Sequence, residues 1–101
     1  MNKVIGVVWF NDELTYRRAL AIFTDAENMP ATFADWKALV GRQCAEIKGS
    51  GNIAIRAEFY PETFAEWCNL HGFLANSQGR TAFANHVELE YQKTGKGMVI
   101  E

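Results

Sequence analysis

The run Val4 to Phe10, Val-Ile-Gly-Val-Val-Trp-Phe, contains no polar side chain. Its β-branched and aromatic residues read as a strand, in which Val4, Val8 and Phe10 point to one face and Ile5, Val7 and Trp9 to the other. Both faces need cover, which is the condition of a strand inside a layered domain and not of a ribbon with one wet side. A chain of 101 residues has room for one core. The cover must therefore come from the rest of the same domain or from a second copy. With 49% hydrophobic and 22% charged residues, the remainder is apolar enough to supply it and too hydrophobic to stay disordered.

Helical spacing begins at Asp12, which is placed to cap a helix carrying Tyr16, Ala19, Leu20 and Phe23 on one stripe. After a polar segment ending in Met29 and Pro30, Thr32 and Asp35 form a capping pattern. The helix behind it has the stripe Phe33, Trp36, Val40, Cys44 and Ile47, closed by Lys48, Gly49, Ser50 and Gly51. Ile53, Ile55, Ala57 and Phe59 alternate with Ala54, Arg56, Glu58 and Tyr60, which predicts a second strand, half buried, ended by Pro61. Thr63 and Glu66 repeat the capping pattern before Phe64, Trp67, Cys68 and His71, and Gly72 stops that helix. Asn76 is placed to start a fourth helix with Phe83, Val87 and Tyr91 spaced by four. The competing alternation of Val87, Leu89 and Tyr91 would make a strand, with 94–97 as a turn and 98–100 as its return. We take the helix, with 95–101 as a tail or short return strand. The expected fold is α+β, or a small α/β domain: one domain, β-α-α-β-α-α, with a small sheet covered by helices.

One motif occurs twice. Pro30-Ala-Thr-Phe-Ala-Asp-Trp36 and Pro61-Glu-Thr-Phe-Ala-Glu-Trp67 share five identities and an acid exchange. In both, proline delays the helix, the threonine hydroxyl can accept from a first-turn amide, the acid meets the positive end of the dipole, and Phe and Trp share a face. Both copies are expected to be helix entrances. A duplicated unit would be out of phase, because the first copy opens the second helix of its half and the other copy opens the first.

Candidates for chemistry are sparse. Cys68 and His71, three apart on a helix, could pair as thiol and base, although their shared stripe with Phe64 and Trp67 gives a plainer reading as core. Adding Cys44 and His86 gives separations that match no metal-site spacing, so no metal and no cofactor are expected. Arg17, Arg18 and Arg80 are the candidates for anion recognition, and Trp36 and Trp67 for anchoring a partner. The acids Asp12, Glu13, Asp35, Glu62 and Glu66 fall at helix starts, where the dipole accounts for them. A net charge of −2, with both signs spread along the chain, argues against nucleic acid or an anionic membrane as partner. The apolar run at 4–10 is followed by Asn11, Asp12 and Glu13 where a leader would place a cleavage site, and two cysteines make no disulfide framework; a cytoplasmic protein with reduced thiols is expected.

The stretch Phe59-Tyr-Pro-Glu-Thr-Phe-Ala-Glu-Trp-Cys68 resembles small bacterial proteins of unassigned function that share a Pro-x-x-Phe-x-x-Trp-Cys pattern, and the segment Pro30 to Trp36 looks like them too. The resemblance implies a bacterial or prophage setting and brings no activity or catalytic residue. From the residues, the expected function is a protein-interaction or structural module acting as a homodimer, since two strands leave open edges that a second chain could pair. The alternative is a small enzyme or redox protein using Cys68 and His71.

Overall fold

The computed structural model of the chain describes residues 3–100. Strand β1 (Val4–Trp9) leads into helix α1 (Glu13–Ile22), whose N-terminus is capped by Asp12 accepting from the Thr15 amide at 2.7 Å. A single 3-10 turn, Ala26–Asn28, occupies the polar segment, and helix α2 (Phe33–Gly49) follows with Thr32 accepting from the Asp35 amide at 3.0 Å. Strand β2 (Ile53–Glu58), helix α3 (Pro61–His71) and helix α4 (Ser77–Thr94) complete the order. The fold is α+β, four helices around a small sheet.

β1 and β2 pair in parallel, Val4 opposite Ile53 through Trp9 opposite Glu58, across the α1–α2 connection. One face of the sheet meets α4 and α3: Gly6 lies against the Ala84 carbonyl, and Phe59 packs on Phe64 with ring centroids 4.9 Å apart. The other face meets α2, where Trp36 stands edge-on to Trp9 at 5.5 Å. Phe10, at the end of β1, is the hub of the aromatic core. It packs on Tyr16, Trp36 and Phe59 with centroids at 5.0, 5.0 and 5.1 Å.

Two expectations change. β2 is covered on both faces, since Ala54, on the face read as the more polar, is buried under the α2 side. Thr63 is not a cap: α3 begins two residues earlier, with Pro61 in its first turn and the Tyr60 carbonyl accepting from the Phe64 amide at 2.8 Å. The two heptapeptides therefore start their helices at different offsets. In the first copy the Pro30 carbonyl is taken by the Tyr16 hydroxyl at 2.6 Å, and the helix begins only after Thr32. Residues 86–93 are helical, as taken from the spacing of Phe83, Val87 and Tyr91, with Asn76 accepting from the Gln78 and Gly79 amides, and 98–100 pair as well. Arg56 donates to the Met98 carbonyl and Ile100 to that of Ala54, both at 2.8 Å, so the tail runs antiparallel along the outer edge of β2. Glu101 lies outside the described residues.

Candidate functional site

The tail covers one edge of the two-stranded sheet, and among the described residues no strand lies beside the other edge, on β1. In the parallel ladder the Lys3 and Trp9 carbonyls accept from Ile53 and Phe59, so the odd residues of β1 turn their backbone groups toward β2. The even residues Val4, Gly6 and Val8 turn theirs outward. Among the described residues only Gly6 has a partner there: its N–H donates to Glu88 Oε1 at 2.8 Å. A side-chain carboxylate from α4 thus takes the place that a neighbouring strand's carbonyl would hold.

This edge forms the floor of a groove of about 640 Å³ walled by α2 and α4. Leu39, Gln43 and Glu46 line it from α2, and Thr81, Asn85 and Glu88 from α4. Each set recurs at helical spacing, so each helix offers one rail parallel to the slot. Trp36 and Val40 close it toward the core, and Met29 and Pro30 close one end. The groove exists because α4 is pulled down onto β1. Gly6 has no side chain to hold the helix away, and Gly79 and Ala84, the buried residues of α4, let its backbone sit close to its neighbours.

At one end of the groove Arg80 is pinned. Its two terminal nitrogens donate to the two carboxylate oxygens of Asp25 at 2.8 Å each, and its guanidinium lies 4.6 Å from the Phe23 ring centre. The Arg80 hydrogen bonds hold the Asp25 carboxyl below its usual pKa, and Asp25 also accepts from the Ser77 amide at 3.1 Å. The arrangement ties the 3-10 turn to the start of α4. Glu46 and Glu88 remain as the groove's other charges, and among the described residues neither has a cationic partner.

The remaining residues singled out from the sequence are dispersed. Arg17 pairs with Glu13 on exposed α1, and Arg18 with Glu62 across α1 and α3. Trp36 is 5% exposed and belongs to the core, with one side on the groove. Trp67 is half-buried and stacked between His71 and Phe73, at 4.4 and 5.9 Å. Cys68 and His71 do not form a dyad: Cys68 is buried against Gly79, while His71 is exposed and its Nδ1 lies 2.8 Å from the Trp67 carbonyl. Burial pushes the Cys68 thiol up, away from the thiolate a nucleophile needs. Cys44 is likewise buried and raised. The described residues contain no cluster of three or more metal-ligating side chains, and no described helix is long and apolar enough to cross a membrane.

The edge and its groove escaped the sequence reading, because an unpaired edge belongs to strand order and not to residue type. Gly6 within an otherwise bulky apolar run was the one local sign that another backbone comes close. Comparison with known proteins adds no assignment: no family model, no curated protein and no solved structure matches this chain.

Proposed function

We propose that this protein is a protein-interaction module and that the groove along the open edge of β1 is where it binds. The observation that carries the reading is the row of outward backbone groups at Val4, Gly6 and Val8, of which only the Gly6 N–H has a partner among the described residues; Gly6 and Val8 lie at the bottom of a slot with polar and apolar rails, and Val4 continues the edge beyond it. Strand edges left open on a folded domain are templates for pairing, and natural domains otherwise blunt them. The raised thiol of Cys68 and the engagement of His71 Nδ1 with the Trp67 carbonyl speak against the enzyme alternative.

The test is selection from a library of random unstructured peptides displayed against the native protein, repeated against Thr81→Trp and Gln43→Trp. Both residues are exposed and line the groove, so tryptophan there fills the slot without entering the core. Binders that enrich on the native protein and are lost on both variants support the reading. Failure to enrich any binder, or binders indifferent to both substitutions, defeats it. Self-association is measured separately by light scattering at micromolar concentration, where a monomer mass would defeat the homodimer.

A further inference from the structure

Resting on that reading, we infer that the occupant of the groove is a bare extended segment of a partner protein, carrying a lysine or arginine, that adds as a strand beside β1. The length fits. Ser77 to Glu88, the part of α4 that lines the slot, covers about 16 Å at the helical rise, which about five extended residues also span. Side chains of such a strand alternate between the two rails, one set toward Thr81, Asn85 and Glu88 and the next toward Leu39 and Gln43. The carboxylates Glu46 and Glu88, which have no cationic partner among the described residues, supply the preference for a cation.

A second copy presenting its own β1 does not fit. The two-fold axis that makes an antiparallel strand pair runs perpendicular to the sheet and keeps α4 and its copy on one face. α4 packs chiefly on β1, with the Ala84 carbonyl on Gly6. Strands at the usual spacing of about 4.8 Å would bring the two α4 helices to about that separation, where packed helices need about 8–10 Å. A segment with no helix of its own meets no such obstacle. On docking, its carbonyl replaces the Glu88 carboxylate at the Gly6 amide, which frees Glu88 for the incoming cation.

The probe is the peptide acetyl-Thr-Val-Thr-Val-Lys-Val-Thr-amide, titrated into the native protein by calorimetry and by amide hydrogen exchange. Saturable one-to-one binding is expected, with exchange at Val4 and Val8 slowed at least tenfold. N-methylation of two consecutive central amides, which blocks both peptide edges, should weaken binding at least tenfold, and Lys→Glu in the peptide at least fivefold. Because these changes are in the probe, no variant of the protein has to fold. Binding that Thr81→Trp abolishes but that tolerates N-methylation and leaves Val4 and Val8 unprotected would overturn strand addition while leaving the groove reading intact. No binding at millimolar peptide overturns strand addition as well, and the library selection then judges the groove by itself. A dimer that the peptide dissociates would make a second copy the occupant.

Discussion

Gly6→Ala tests the close approach that builds the groove. An added methyl would sit 2.5 Å from the Ala84 carbonyl oxygen and 3.2 Å from Glu88 Cγ. Comfortable carbon–oxygen contacts begin near 3.3 Å, so α4 must retreat from β1 by most of an ångström. Overpacking of this kind costs about 1–3 kcal/mol. The retreat also strains the 2.8 Å bond from the Gly6 amide to Glu88, whose complete loss would cost about 1.5–3 kcal/mol. Against these, alanine loses less chain entropy on folding, a gain of about 0.5–1 kcal/mol. The net is a loss of about 2–4 kcal/mol. Gly41, exposed in the middle of α2 with open space where a Cβ would sit, is the matched control: Gly41→Ala should gain about 0.5–1 kcal/mol from helix propensity. Urea denaturation followed by circular dichroism reads both. With a slope of about 1–2 kcal/mol/M, the Gly6→Ala midpoint should fall by about 1–4 M while that of Gly41→Ala rises. A Gly6→Ala midpoint equal to or above that of the parent, at unchanged slope, would refute the helix-on-strand contact.

The duplicated heptapeptide predicts unequal costs: Thr32→Ala should lose about 1 kcal/mol with its cap, and Thr63→Ala should stay within about 0.5 kcal/mol, by the same denaturation assay. The ion pair of Asp25 with Arg80, whose side chains are 17% and 13% exposed, gives a pH signature. Because the folded pKa of Asp25 is depressed, its contribution is present above the unfolded value of about 3.9 and is lost as pH falls through the folded one. Asp25→Asn should therefore be about 2–3 kcal/mol less stable than the parent at pH 7, and the two should converge in acid. For the thiols, a disulfide reagent at pH 7 should label Cys44 and Cys68 slowly in the native protein and completely in denaturant. Labelling of native Cys68 at the rate of a free thiol would move the enzyme reading ahead.

The local chemistry of helix starts was legible. Asp12, Thr32 and Asn76 each cap a helix through a bond spanning two or three residues, so neighbours in sequence suffice to find them. The stripes were legible for the same reason: Tyr16, Ala19 and Phe23, and Trp36, Val40 and Cys44, are buried as their spacing requires. Thr63 was misread because its residue context matches that of Thr32 and the difference lies elsewhere, in the Tyr16 hydroxyl holding the Pro30 carbonyl outside the first helix. Alternation at Val87, Leu89 and Tyr91 loses to the helix, in which Leu89 faces solvent while Val87 and Tyr91, four apart, are both half-buried.

The candidate site was hidden for a deeper reason. Its recognition groups are main-chain amides and carbonyls, which every residue carries, and what singles out Val4, Gly6 and Val8 is that β2 lies on their other side. Which edge of the sheet stays open in turn depends on the distant residues 98–100 lying along β2 and not along β1. The C-terminal segment closes the outer edge, so further pairing is directed to β1, and the open groove follows from the position of a tail that makes no contact with it. Removing residues 98–101 should consequently expose Arg56 and Ala54 backbone groups as a second pairing edge, without altering the slot between α2 and α4. Calorimetry with the strand peptide reads the difference as a second binding event in the truncated chain. A stoichiometry that stays at one, in a truncated chain that remains folded by circular dichroism, would mean that an unpaired edge alone does not recruit a strand here and that the helical rails of the β1 groove are required.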